Sequence, residues 1–374
     1  MPCRRLALVF AALMLAPCAA VAQGAVGPPA TTAGVKSGET AGFELQPIGE
    51  GIYAAIRREP PGLMVDANSI LIINDDDVVV VDTNGTPGSA REVLAALRRL
   101  TTKPVRYVVN THWHDDHIMG NQVWRDAYPG VEFIAHANTR EWLPGRGLAA
   151  RRDMIEGAPP VVAMIRDRVA KNIGLDGKPL TAAARLSYLS DIHLAERYLA
   201  EVPTTEIVLP TITVDQRLTL YRGRRVIDIR DIGHGHTAGD LVVHLPVERI
   251  VMAGDLVVWP VPLVGSDQSH IADWVAALDR LRELKPAIIV PGHGPIMHDD
   301  AYVTALSCLF ASVVRQARAA VARGDSLEQT VKTIDLDEFR RAVAGDDQVR
   351  KVLFAQDVAE PATIAAYREA AAAL

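Results

Sequence analysis

The stretch Thr111-His112-Trp113-His114-Asp115-Asp116-His117 constrains this chain more than any other. It leaves the apolar run Val105-Arg106-Tyr107-Val108-Val109 and sets four potential metal ligands in the spacing H-x-H-x-D-H. As one continuous helix or strand, the segment would bury or scatter charged groups without partners. As a loop at a strand end, it can turn several side chains toward one point. Imidazole nitrogen and carboxylate oxygen together suit a borderline divalent cation, with zinc foremost. A polar surface loop of solvated histidines is the competing reading, but metal ligation is the commonest role of clustered histidine. The spacing favours a metal site.

One loop cannot close such a site, and three later segments offer further ligands. Gly235-His236-Thr237-Ala238-Gly239-Asp240 precedes the apolar residues 241–245. Ala253-Gly254-Asp255 follows Arg249-Ile250-Val251-Met252, and Pro291-Gly292-His293-Gly294-Pro295 follows Ala287-Ile288-Ile289-Val290. Each puts a His or Asp beside a buried-strand pattern, next to the glycine or proline that a tight turn needs.

In their order, HWHDDH, GHTAGD, the Asp of AGD and PGHG resemble the metallo-β-lactamase-fold hydrolases over residues 112–294, with supporting strands from about residue 43. The likeness is to the branch with a bridging Asp, including glyoxalase II-like enzymes and secreted members associated with sulfur-oxidation or quinoprotein systems. It implies an α/β fold, a four-layer αβ/βα sandwich whose metal centre lies at one edge. By the same resemblance, His112, His114 and His236 match the ligands of a first metal. Asp116, His117 and His293 match those of a second, and Asp255 takes the position that bridges both. Asp82, at the end of the run Val78-Val79-Val80-Val81, matches the residue that supports the histidines from behind. The implied cofactors are two zinc ions, with iron or manganese as alternatives.

The expected chemistry is attack by a shared, deprotonated water on the carbonyl of a small ester, thioester or lactone, with Asp116 as the catalytic carboxylate. β-Lactam hydrolysis is the alternative. Against it, the resembled lactamases carry Cys or Ser where this chain has Asp255, and the Cys branch has a lysine where this chain has Val258. A non-catalytic metal-binding accessory protein is a further alternative, although such a protein would be expected to keep fewer ligands. A redox di-iron protein would need a carboxylate at His114. Asp115 is expected to point outward. Trp113 and Trp259, beside ligand loops, and His234, two residues before His236, are candidate pocket residues.

The rest of the chain frames that centre. Residues 1–22 carry Arg4 and Arg5, an apolar core and Ala20-Val21-Ala22, the pattern of a cleaved leader that sends the protein to the periplasm or outside the cell. Residues 23–40 read as a flexible tail and 41–298 as the metallo-β-lactamase-like domain. Within it, 138–203 breaks the strand–helix rhythm and reads as a helical insertion over the site. Residues 299–374 read as a C-terminal helical extension. Ser89-Ala90-Arg91-Glu92 predicts a capping box for a helix, Arg222-Gly223 a hairpin turn, and residues 118–127 a single helix. After the leader, no run approaches the length of a membrane span. The formal charge of −6 becomes −8 once Arg4 and Arg5 are removed, and no basic cluster is present. That excludes a nucleic-acid substrate, whose binding rests on phosphate neutralisation, and leaves a small-molecule substrate.

Overall fold

A computed structural model describes residues 42–265 and 267–373. The expected leader and tail, residues 1–40, lie outside the described residues. Strands β1 (Phe43–Gly49), β2 (Ile52–Arg57), β3 (Ser69–Ile73) and β4 (Val78–Val81) run as an antiparallel meander. Helix α1 (Pro87–Leu100) then carries the chain back, so that β5 (Val105–Val109) lies parallel to β4. Two short helices, α2 (Asp115–Ile118) and α3 (Asn121–Ala127), lead to β6 (Glu132–His136), again parallel. Helices α4 (Ala137–Trp142), α5 (Leu148–Lys171) and α6 (Ala182–Glu201) intervene before β7 (Ile212–Val214) completes a seven-stranded sheet in sequence order.

The second sheet has five strands in the order β12-β11-β10-β9-β8. These are β8 (Arg217–Arg222), β9 (Arg225–Arg230), β10 (Val242–Leu245), β11 (Ile250–Val258) and β12 (Ile288–His293). Only β11 and β12 are parallel, because α7 (Ile271–Glu283) crosses between them. The chain ends in α8 (Ala301–Arg323), α9 (Leu327–Thr333), α10 (Asp337–Ala344), α11 (Gln348–Leu353) and α12 (Glu360–Ala372).

Burial shows why these segments layer as they do. Ile70, Ile72, Val79, Val81 and Val109 from the first sheet meet Ile227, Ile229, Val243, Met252 and Val290 from the second. Alternate residues Leu71, Val78, Val80 and Val108 turn the other way, onto Val93, Leu97 and Trp124 of α1 and α3. β4 is thus covered on both faces, which explains four consecutive valines where a half-exposed strand would alternate. On the far side, Val251, Ala253 and Val257 pack under Trp274, Leu306 and Phe310 of α7 and α8. The Trp274 and Phe310 rings lie 4.5 Å apart, and Trp274 Nε1 donates to the Leu256 carbonyl at 3.1 Å. Each such buried side chain contributes about 1.5–3 kcal/mol. The outcome is the expected αβ/βα sandwich.

Residues 138–203 are helical, and they share one core with the C-terminal helices. Val162 and Ile165 of α5 and Tyr188 and Ile192 of α6 join Phe339, Val349 and Phe354 there. Gln348 accepts from the Thr181 backbone at 3.1 Å and donates to Asp176 at 2.8 Å. α8 is the one described helix long and apolar enough to cross a membrane, and more than half of its apolar window is buried inside the protein.

Three local expectations are corrected, and one strand was not foreseen. The cap of α1 is Thr86, whose hydroxyl accepts from Ser89 N at 3.1 Å, with Pro87 in the first turn; Ser89 is inside the helix. The single helix expected over 118–127 breaks at Gly120, where the chain passes the Thr83 carbonyl too closely for any Cβ. The β8–β9 turn falls on Gly223-Arg224, one residue later than expected. Strand β7 carried no signal, being three residues long and paired only at the sheet edge.

Candidate metal centre

The centre is built from strand ends. β5 runs into the histidine loop, Asp255 lies within β11, and His293 is the last residue of β12. Asp82, directly after β4, ties the histidine loop to the end of that strand. Its Oδ1 accepts the Thr111 backbone N–H at 2.8 Å, and its Oδ2 lies 2.8 Å from both Thr111 Oγ1 and His117 Nδ1. Asp82 holds φ at +54°, unusual for a residue with a Cβ and tolerated only where surrounding bonds over-determine it. On the β11 side, Gly254 sits at φ +51° with its open face on Thr111; a Cβ there would stand 2.7 Å from the threonine side chain. That absence of a side chain lets Asp255 approach the histidine loop.

All five histidines are fixed through a remote nitrogen. His117 Nδ1 faces Asp82, His236 Nδ1 donates to the Leu263 carbonyl at 2.7 Å, and His293 Nδ1 to the Asp66 carbonyl at 3.2 Å. His114 is reversed: its Nε2 meets Gln268 Oε1 at 3.3 Å, leaving Nδ1 turned inward, 2.8 Å from His236 Nε2. His112 Nδ1 lies 3.2 Å from the Thr111 hydroxyl. Such contacts set the tautomer and hold the opposite nitrogen ready as a donor to metal.

Those opposite atoms converge in three overlapping groups: His112, His114 and His236; His112, His117 and Asp255; and Asp116, His117 and His293. Within each, the donor atoms lie within 4.8 Å of one another. Asp255 spans them. Its Oδ1 is 3.2 Å from His117 Nε2 and 3.4 Å from His293 Nε2, while its Oδ2 is 3.6 Å from His236 Nε2. Asp116 Oδ2 is 3.0 Å from His293 Nε2. Yet His112 Nε2, His117 Nε2, His293 Nε2, Asp116 Oδ2 and Asp255 Oδ1 are buried without a hydrogen-bond partner. Five convergent orphan atoms of this kind are costly unless a cation satisfies them. The donor set therefore fits divalent metal.

The electrostatics agree. Burial lowers His236 to about 3, with His114 adding to the effect, and lowers His112 well below the ordinary imidazole value. On the other side burial again disfavours charge, but Asp255 and Asp116 outweigh it and lift His293 to about 10. Asp116 itself is drawn down to about 2 by His117 and His293 against its burial. One flank offers neutral lone pairs, and the other attracts positive charge strongly.

Beside the centre lies a cavity of about 240 Å³, lined by Leu63, Met64, Val65, Trp113, His114, Asp115, Asp116, Ala150, Arg151, Met154 and Tyr198. Trp113 is buried with its ring edge-on to His114 at 4.5 Å. Trp259 instead lines a second cavity with His293, under the Arg350 guanidinium at 4.6 Å. His234 lines neither cavity. Asp115 does not point outward. Its carboxylate is held by Arg151 Nε at 3.2 Å, Arg151 Nη2 at 3.3 Å and the Tyr198 hydroxyl at 2.5 Å. The residues that sequence reasoning missed, Arg151, Tyr198, Gln268, Leu263 and Asp66, lie outside the motifs. The two that act through backbone carbonyls leave no trace in a motif.

Comparisons with known proteins now bear on this centre. The profile of the Metallo-beta-lactamase superfamily matches residues 64–293. A linear primary-alkylsulfatase from Pseudomonas sp. is 25% identical over 291 residues, 74% of this chain and 48% of that protein. A hydroxyacylglutathione hydrolase from Gloeobacter violaceus is 39% identical over 82 residues, 21% of this chain and 31% of the relative. Among solved structures, a stereoselective inverting sec-alkylsulfatase from Pseudomonas sp. superimposes with a TM-score of 0.60 at 18% identity, covering 87% of this chain and 50% of that one. The chain thus spans about half the length of the alkylsulfatases it matches. With a profile match that takes in more than half of its residues and the whole donor cluster, the chain belongs to the metallo-beta-lactamase superfamily.

Proposed function

We propose that this chain is an exported hydrolase of small carboxylic esters, thioesters or lactones bearing an apolar chain, working with two divalent ions, zinc foremost. Asp255 carries the reading: its two oxygens face different histidine groups, as a bridging carboxylate must. His112, His114 and His236 would hold one ion, and Asp116, His117 and His293 the other. Bound ions supply an activated water and polarise the carbonyl oxygen. The remaining work falls to the chain's own groups. Leu263, Asp66 and Asp82 hold His236, His293 and His117 in orientation. Asp116, kept ionised, can take a proton from the attacking water and pass it to the leaving oxygen or sulfur.

The cavity beside the centre bears on substrate class. Leu63, Met64, Val65, Trp113 and Met154 make its walls apolar, so it shields a hydrocarbon chain from water next to the reacting centre. Among the described residues its one basic side chain, Arg151, is already engaged by Asp115, so an anionic substrate finds no unpaired basic side chain in the apolar pocket. A second reading, hydrolysis of alkyl sulfates, is favoured by the two alkylsulfatases, whose names state that substrate. The export assignment rests on the leader pattern, and N-terminal sequencing of the periplasmic protein tests it.

The decisive experiment is a panel at one pH: p-nitrophenyl acetate and octanoate, an acyl homoserine lactone, an acyl thioester, dodecyl sulfate and a chromogenic cephalosporin. Carboxylic esters or lactones with longer chains should be turned over fastest. Activity should vanish with chelator and return with zinc. Turnover confined to dodecyl sulfate, or to the cephalosporin, would sink the carbonyl reading.

A further inference from the structure

We propose a third divalent-metal site, outside the catalytic centre, formed by His234, His270 and Asp273. One donor atom from each residue lies within 4.8 Å of the others. The three come from two elements. His234 belongs to the loop that two residues later delivers His236, while His270 and Asp273 belong to the first turn of α7. A three-residue step on a helix puts both α7 side chains on one face.

The local hydrogen bonding leaves these side chains available. His270 is in the capping position of α7, yet its side chain makes no cap bond. Glu369, reaching from α12, takes that role by accepting from Ile271 N at 2.7 Å and Ala272 N at 3.0 Å. The His270 ring turns instead toward His234, with ring centroids 5.3 Å apart. The backbones are already joined, since His270 N donates to the Gly235 carbonyl at 2.8 Å. The donors are therefore presented on a fixed frame and only the side chains must adjust.

Two imidazoles and one carboxylate are a common zinc donor set, with bonds of about 2.0–2.2 Å and hence donors roughly 3.3 Å apart in a tetrahedral site. Closing from at most 4.8 Å to that spacing is a movement of up to about 1.5 Å, within reach of the exposed Asp273 carboxylate by rotation. His234 and His270 are half-buried and Asp273 is exposed, so an ion held there would be open to solvent. Such a site exchanges readily. Its ion would clamp the loop that carries His236 to the start of α7, bracing a candidate catalytic ligand from outside.

The test is equilibrium dialysis of the full chain against micromolar free zinc, followed by metal counting by mass spectrometry. Wild type is compared with His270→Ala/Asp273→Asn and, separately, with His234→Gln. Wild type should hold one zinc per chain more than either variant, and zinc should raise the melting temperature of wild type further than theirs. Circular dichroism confirms folding, and the α7 variant loses no cap bond. The comparison is a difference, so it stands whatever number of ions the catalytic centre holds. Equal zinc content in wild type and both variants overturns the proposal. So does loss of zinc in only one of the two variants, since all three donors are required.

Discussion

The Asp115 carboxylate and the Arg151 guanidinium meet at two points, Nε 3.2 Å from one oxygen and Nη2 3.3 Å from the other. Tyr198 completes the contact, so helices α5 and α6 are both tied to the residue next to Asp116. Breaking one partner of a largely buried pair leaves the other without compensation. Asp115→Asn should lower kcat/KM for long-chain esters by about tenfold or more, on the scale of one charge-assisted contact, while metal content stays unchanged. From sequence alone, with Asp115 pointing outward, the effect is expected below tenfold. A change under threefold would show that the tie between insertion and loop has no functional weight.

Asp116→Asn is the matching comparison. Asparagine keeps the shape but offers neither the charge nor the proton acceptance that a carboxylate facing His293 at 3.0 Å provides. Turnover should fall about 100-fold or more, on the scale of losing a positioned acid–base group. Metal analysis should show weakened retention of one ion. If Asp115→Asn proves the more damaging in turnover, the ligand loop is displaced by one residue from the present assignment.

Asp82 acts through His117. Asp82→Asn would preserve an acceptor for Thr111 N but put an amide N–H₂ where His117 Nδ1 now finds a carboxylate oxygen. The tautomer would no longer be enforced, and zinc affinity should drop about 10- to 100-fold. Competition against a chelator of known affinity measures this. Unchanged affinity would mean that Asp82 serves only to hold the Thr111 backbone.

Much of this was legible in the sequence because its causes are local. Four valines in a row announce a strand covered on both faces, and H-x-H-x-D-H crowds donors into one turn. Strand-end ligands could be placed because each follows or shortly precedes an apolar run of strand length. The Asp115–Arg151–Tyr198 contact was not legible: its members are 36 and 83 residues apart in sequence and meet only once two helices pack over the loop. Nor was the split of α2 from α3, which comes from the close passage of Gly120 against the Thr83 carbonyl. His234 was weighed as a pocket residue, yet its ring turns to His270, a neighbour that only the docking of α7 provides.

The apolar cavity makes a sharper forecast at Met154, an exposed residue on its rim. Met154→Glu adds a charge that a hydrocarbon chain would have to bury, at a cost of order 1–3 kcal/mol. It should therefore reduce kcat/KM for an octanoyl ester by about tenfold. An acetyl ester, too short to reach the rim, should change little. Equal losses on both esters would place the substrate chain elsewhere.

The last forecast concerns pH and Asp357, far from the motifs. Burial alone raises its carboxyl to about 7, and its backbone carbonyl accepts Val264 N at 3.0 Å, next to the Leu263 that orients His236. A carboxyl whose folded value exceeds its unfolded value of about 3.9 keeps its proton better when folded. Below pH 4 both states are protonated and the residue contributes no difference. Between about pH 4 and 7 the unfolded chain ionises first, so stability declines through that window. Above it, ionised Asp357 destabilises the fold by something on the order of 2–4 kcal/mol. Asp357→Asn removes the titration, so urea midpoints of wild type and variant should coincide near pH 4. They should diverge by pH 8, with the variant the more stable. Parallel curves across that range would mean that the Asp357 carboxyl reaches water and ionises at its ordinary value.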